Sequence, residues 1–159
     1  MRDDFAAQVA AQGDNAEIRA ILAEICALTG MGFAAVARVT EHRWIACQVD
    51  DRIDFGLTPG GELEVSTTIC NDIRQSGKHV VIDHVDANEE WRTHPTPVFY
   101  GFKSYVSMPI VLDDGSFYGT LCAIDPSPRL LSDPGMVGKL KDYAARVAAL
   151  LSAGRPTQG

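Results

Sequence analysis

Ile18, Ile21, Leu22, Ile25 and Leu28 recur every three or four residues, the spacing that gathers side chains on one side of a helix. They predict a helix over residues 14–29, with Gly30 as its stop. Residues 5–11 are also compatible with a helix. The pattern then shortens. Residues 33–39 and 44–49 are apolar and partly β-branched, and Glu41 and His42 turn between them, so they read as a β-hairpin. Residues 50–61 are polar and end in Pro59-Gly60-Gly61, a loop. Ser66 or Thr67 caps a short helix running to residue 75, which turns Ile69, Cys70 and Ile73 inward and ends at Gly77.

Residues 79–85 read as a strand, and Asn88 caps a turn containing Glu89, Glu90 and Trp91. Pro95 and Pro97 break any longer helix and leave a short one over residues 98–102. Residues 105–112 and 117–124 form a second hairpin around Asp113-Asp114-Gly115. Pro126 and Pro128 prevent its ladder from continuing. After Pro134-Gly135, a helix over residues 136–151 carries an apolar stripe of Val137, Leu140, Tyr143, Ala144, Val147, Leu150 and Leu151.

Hairpins at both ends with a long crossover between them predict an α+β fold. An antiparallel sheet of five or six strands carries the N- and C-terminal helices on one face and short helices and loops on the other, over a pocket. The expected division is a flexible or helical lead over residues 1–13, one domain over 14–151 and a disordered tail over 152–159. There are no internal repeats and no interdomain linker.

The 159 residues suffice for one domain with a sizeable core. A net charge of −7 disfavours nucleic acid and offers no polybasic patch to a membrane surface. No apolar leader and no membrane-length apolar run is visible, which predicts a cytoplasmic protein. Cys26, Cys47, Cys70 and Cys122 are widely spaced in apolar segments without a CxxC, as expected of reduced thiols. His79 and His84 are expected on opposite faces of one strand, so His42, His79, His84 and His94 do not converge as a metal site requires. Asp83, Asp86, Glu89 and Glu90 lack an accompanying nucleophile and read as a solvated acidic rim. Asp125 and Arg129 bracket the proline exit and are expected to pair locally.

Gly119-Thr120-Leu121-Cys122-Ala123-Ile124-Asp125 followed by Pro128-Arg129 resembles the last strand and exit of GAF domains. Ser107-Met108-Pro109-Ile110 resembles the strand before it. The resemblance covers residues 14–151, and its nearest flavour is the GAF sensory domain of bacterial histidine kinases and diguanylate cyclases. It implies a ligand- or cofactor-responsive regulatory domain with no catalysis of its own, controlling a histidine kinase or cyclase output in cis or in trans. It also implies a homodimer formed through the terminal helices. The segment 88–97 would lie over the pocket. The residues nominated for a ligand are Cys70, Asp83, Asp86, Trp91, His94, Phe99, Tyr100, Phe102, Tyr105 and Ser107. The aromatic density from Trp91 to Tyr105 supports a cavity, or else a filled aromatic core.

The resemblance does not name a cofactor. Members that attach a bilin carry Asp-Ile-Pro or Cys-His patterns, whereas Cys70 is followed by Asn71. The cyclic-nucleotide pattern Asn-Lys-x(n)-Phe-x(3)-Asp-Glu is absent. Free methionine-R-sulfoxide reductases share the fold and use several cysteines, but His94-Pro95-Thr96-Pro97-Val98 stands where one of them is expected. An enzyme would need a second thiol within reach of Cys70, and the sequence does not promise one. Cys70 in the first turn of a helix is a candidate for redox or ligand attachment; Cys122 reads as sheet packing. The alternative to a ligand sensor is a dimerisation or interaction module whose cavity has collapsed.

Overall fold

A computed structural model describes residues 4–153. Its six strands are β1 (Phe33–Val39), β2 (Trp44–Asp51), β3 (Glu62–Leu63), β4 (Val80–Ile82), β5 (Ser104–Val111) and β6 (Phe117–Asp125). They form one antiparallel sheet in the order β3-β2-β1-β6-β5-β4. β6 is the hinge of the topology: Ala34 pairs with its Ala123, and Ser107 of β5 pairs with its Cys122. The two terminal hairpins are joined through it.

Helices α1 (Asp4–Gln12), α2 (Ala16–Thr29) and α6 (Pro134–Ala153) cover one face. Asn15 caps α2 by accepting from the Glu17 and Ile18 N–H groups, and Gly30 closes it with a left-handed φ of 75°. The predicted stripe is buried as expected: Ile18, Ile21, Leu22 and Ile25 pack on Ala34, Val36, Met108 and Ile110 of the sheet. Each such aliphatic side chain contributes about 1.5–3 kcal/mol on burial. The α6 stripe is spent in the same layer, with Leu140, Ala144, Val147 and Leu151 turned onto the protein's own sheet.

On the other face lie α3 (Ile69–Ser76), α4 (Glu89–Arg92), α5 (Pro95–Tyr100) and the irregular segments between them. Strand alternation divides the sheet side chains between the two layers. Phe33, Ala35 and Ala37 of β1 and Cys122 and Ile124 of β6 face α3, whereas Ala34, Val36, Leu121 and Ala123 face the long helices. Two irregularities reset this alternation. Ile110 pairs with Gly119 and Val111 with Phe117, so Tyr118 is the extra residue and turns to the helix layer with Leu121. Cys47 is skipped in the same way between β1 and β2.

The expected elements differ in five places, one being the two-residue edge strand β3, which lies outside every predicted strand. The 79–85 strand contracts to Val80–Ile82, because His84 begins a one-turn 3-10 segment over Val85–Ala87. His79 and His84 are therefore both outside the strand, and the opposite-face argument for them does not apply. α5 begins at Pro95, three residues before the predicted start, since proline is tolerated in a first helical turn. Ser66 and Thr67 fall in a separate 3-10 turn, and Thr68 is the N-cap position of α3 without a side-chain capping bond. Ser152 and Ala153, expected in the tail, close α6; residues 154–159 lie outside the described residues, as does the start of the lead, 1–3.

Candidate functional site

The interior between α3 and the sheet holds a cavity of about 40 Å³. Its floor is the sheet: Phe33 of β1, Trp44 of β2, Tyr105 of β5, and Cys122 and Ile124 of β6. Ile69 and Cys70 of α3 form one wall, with Thr68 and Thr96 beside them. Phe55, Leu57, Leu63, Tyr100 and Phe102 close the top. Those five residues and Ile124 also line an outer groove of about 600 Å³, so a single layer of apolar side chains separates cavity from groove. The lid is held by ring contacts, Phe55 to Phe33 at 4.9 Å and Phe55 to Tyr100 at 6.0 Å between centroids. The Tyr100 hydroxyl hydrogen-bonds the Thr67 hydroxyl at 2.5 Å. Below it, the Asp51 carboxylate accepts the N–H groups of Ile53, Phe55 and Gly56 and folds that segment over the sheet.

The polar groups of this apolar chamber converge on one atom. The Thr120 hydroxyl donates to Cys70 Sγ at 3.1 Å; the Tyr105 hydroxyl is 3.4 Å and the Ser107 hydroxyl 3.9 Å from the same sulfur. Cys122 lines the same cavity as Cys70. The hydrogen bond from Cys122 outweighs burial and, with those of Thr120 and Tyr105, holds the Cys70 thiol below the ordinary cysteine value. Its partner moves the other way: the bond to Cys70, then burial, pushes the Cys122 thiol up. Burial, then the sulfur charges, raise the Tyr105 hydroxyl, which stays a donor. The Trp44 indole N–H is buried, finds no acceptor within hydrogen-bonding distance, and adds its dipole in favour of the Cys70 thiolate.

A family model for the GAF domain matches residues 15–151. The chain belongs to the GAF domain family. A search of curated proteins finds no match. Among solved structures, this GAF domain is similar to the GAF domain of an Acinetobacter phosphoenolpyruvate-protein phosphotransferase at 11% identity, covering 96% of this chain and 95% of that one, TM-score 0.67. It is similar to the blue-light absorbing form of the PixJ GAF domain of Thermosynechococcus elongatus at 12% identity, 92% and 86% coverage, TM-score 0.66. A third is the type II free methionine-R-sulfoxide reductase of Thermoplasma acidophilum at 12% identity, 86% and 91% coverage, TM-score 0.64. At these identities the likeness is one of fold.

Within the GAF domain the ten nominated residues separate. Cys70, Tyr100, Phe102 and Tyr105 line the cavity, and Ser107 stands behind the Cys70 sulfur. Trp91 is buried in the same layer but outside the cavity lining, in a tilted ring contact with His94 at 4.9 Å. His94 Nδ1 accepts the Thr96 N–H and caps α5, so it serves the backbone. Phe99 is 71% exposed and lies outside the lid. Asp83 holds the exit loop: its carboxylate accepts the Leu131 N–H at 2.7 Å and the Ser132 hydroxyl at 2.5 Å. Asp86 is a surface carboxylate paired with Lys103 at 3.0 Å and His84 at 3.6 Å. Neither aspartate reaches the cavity. No group of three or more His, Cys, Asp or Glu residues among the described ones is placed to hold a metal.

The sequence reading passed over Trp44, Phe55, Leu57 and Cys122. Phe55 and Leu57 are, with Ile53, the apolar members of an otherwise polar loop, a signal that could have marked them as a lid. Cys122 supplies the second thiol beside Cys70 that the sequence did not promise. Asp125 does pair locally, bonding Arg129 at 3.3 Å, and it also accepts the Gly32 and Ser127 N–H groups.

Proposed function

We propose that this GAF domain is the sensory module of a bacterial signalling protein and that its signal enters at the cavity beside Cys70. The observation that carries this reading is the convergence of buried polar groups on one sulfur inside an apolar chamber under a thin aromatic lid. Binding sites combine apolar walls with a few directed polar groups in this way. The sensory GAF neighbours, including a light-absorbing one, support a regulatory role. The output is a histidine kinase or cyclase activity outside this chain, controlled in cis or in trans. Because the α6 stripe covers its own sheet, a homodimer would use the outward faces of the terminal helices. No helix among the described residues is long and apolar enough to cross a membrane.

The small volume favours a specific second reading. At about 40 Å³ the closed cavity has room for one or a few waters and no drug-sized ligand, as in an interaction module with a collapsed pocket. Native mass spectrometry of the protein purified from its host, followed by denaturing mass on the same sample, separates the two. The sensory reading expects a small molecule that departs on denaturation or remains on Cys70. A clean apo mass, with unchanged amide exchange over the lid when small metabolites or oxidants are added, would establish the interaction module.

A further inference from the structure

The cavity has no room for a drug-sized ligand, and two thiols, Cys70 of α3 and Cys122 of β6, line it. A chamber of this size admits molecules of about two or three heavy atoms. Its reactive centre is a sulfur, surrounded by donors that stabilise negative charge on it: Thr120, Tyr105, Ser107 and the unpartnered indole N–H of Trp44. No cation lines the cavity, so an uncharged molecule is the one that enters at least cost. Thiolates react with uncharged peroxides, and a neighbouring thiol converts the product to a disulfide.

We propose that Cys70 and Cys122 are a peroxide-reactive dithiol that closes to a disulfide inside the cavity. This deepens the sensory reading and rests on the cavity being where the signal enters. In the first step the Cys70 sulfur, having released its proton, attacks one oxygen of hydrogen peroxide. The O–O bond breaks and the departing hydroxide takes the released proton, leaving as water. Cys70 is now a sulfenic acid. In the second step the Cys122 sulfur attacks the Cys70 sulfur. The S–O bond breaks, the S–S bond forms, and the departing hydroxide takes the Cys122 proton as a second water. Two thiols lose two electrons between them and one peroxide becomes two waters; a thiol reductant reverses the change.

The consequence for the fold is mechanical. Cys70 lies in the first turn of α3 and Cys122 in the central strand β6. A covalent S–S bond of about 2.05 Å draws that turn onto the strand. It also removes the acceptor to which Thr120 and Tyr105 are bonded.

The test treats the purified chain with hydrogen peroxide and maps its peptides without reduction. The expected result is a loss of about 2 Da and a Cys70–Cys122 cross-link, while Cys26 and Cys47 remain thiols. Cys122→Ser is expected to stop at a Cys70 sulfenic acid, trapped by dimedone once excess peroxide is removed and the chain unfolded, and Cys70→Ser to abolish both products. Tert-butyl hydroperoxide is expected to react roughly tenfold or more slowly than hydrogen peroxide, after correction for their rates with free cysteine. Uniform oxidation of all four thiols overturns the proposal, as does a folded chain that gives no Cys70–Cys122 link under conditions that oxidise the thiols of the urea-unfolded chain. If a serine variant fails to fold, the wild-type peptide map decides. A protein that retains a small molecule while its thiols resist peroxide overturns the dithiol and leaves the sensory reading standing. A disulfide that forms with no change in amide exchange beyond α3 and β6 upholds the thiol chemistry and overturns the sensory reading.

Discussion

Phe55→Ala is the perturbation that addresses the lid most directly. Phe55 is half-buried and shared by the cavity and the outer groove, and its ring contacts Phe33 and Tyr100. A fully buried Phe→Ala change costs about 3–5 kcal/mol, so a half-buried one costs about 2 kcal/mol. Two aromatic contacts at about 0.5–1.5 kcal/mol each give the same figure. A domain of ordinary stability survives that loss. The lost contacts belong to the lid, so lid opening becomes easier by a similar amount, and Cys70 should react about thirtyfold faster with a reagent admitted only through the opened lid. The assay follows Cys70 alkylation by iodoacetamide under native conditions, read by peptide mass, beside a urea titration of the same variant. Val98→Ala is the control: its side chain is 74% exposed and lines neither the cavity nor the outer groove, and both readouts should change by less than about 0.5 kcal/mol equivalent. An unchanged alkylation rate in Phe55→Ala, with the expected fall in stability, would show that the reagent reaches Cys70 by another route. The account of the lid would then be wrong.

The other expectations are structural and pH-dependent. Asp125→Ala leaves the Gly32 and Ser127 N–H groups and the Arg129 guanidinium without their shared carboxylate, and should cost about 3–5 kcal/mol by urea denaturation; a loss under 1 kcal/mol would contradict the role given to this buried acid. Gly119→Ala would place a Cβ 1.8 Å from the Ala37 carbonyl oxygen, against backbone of the neighbouring central strand, and should lower the thermal midpoint severely or prevent folding; an unaffected midpoint would refute that packing. Burial alone would raise the Asp51 carboxyl, but hydrogen bonds from Gly56, Phe55, Ile53 and Asp54 hold it below its ordinary value of 3.8. Its contribution to the lid is therefore complete above pH 3.8 and is lost as pH falls through the lower folded value. The protection of the Phe55 and Gly56 amides, measured against unfolded-chain exchange at the same pH, should fall in acid and be pH-insensitive in Asp51→Asn over that window.

The elements were legible because their signals are local. The Ile18 to Ile25 spacing, the Asp113-Asp114-Gly115 turn and the proline exit each act within a few residues, and each lies where the pattern placed it. β4 was over-extended because nothing local distinguishes His84, whose neighbour Val85 leaves the sheet to bond the Lys103 carbonyl. The site was legible in part for the same reason. Tyr100, Phe102 and Tyr105 follow from aromatic density, but of the consecutive α5 residues Phe99 and Tyr100 only Tyr100 reaches the cavity, which composition does not record. Asp83 looked like a pocket acid because its partners, Leu131 and Ser132, are almost fifty residues further along the chain. Cys122 was read as packing because alternation says that it faces one layer and not which one.

The layer decides what each thiol can do. Cys26 and Cys47 lie on the side of the long helices, where burial pushes both thiols up to about 11. Cys47 meets one donor, the Tyr118 hydroxyl at 3.4 Å, which does not offset its burial. Cys70 and Cys122 lie on the opposite side and are also buried, yet Cys70 shifts downward because Cys122, then the Thr120 and Tyr105 hydroxyls and the Trp44 indole, act on its sulfur. Burial is common to all four, so burial cannot be what makes one of them reactive. The difference is the number of donors, and that number is set by strand alternation: Thr120 and Cys122 share one face of β6, and Tyr105 and Ser107 share the matching face of β5, paired to it residue for residue. A single-residue slip of β5 against β6 would carry Tyr105 and Ser107 to the helix layer and take both hydroxyls from Cys70, while β1 holds Thr120 and Cys122 in place. The bulge at Tyr118 makes the required reset between Tyr118 and Thr120, so the hairpin closes with Tyr118 in the helix layer and the sulfur's donors in the cavity.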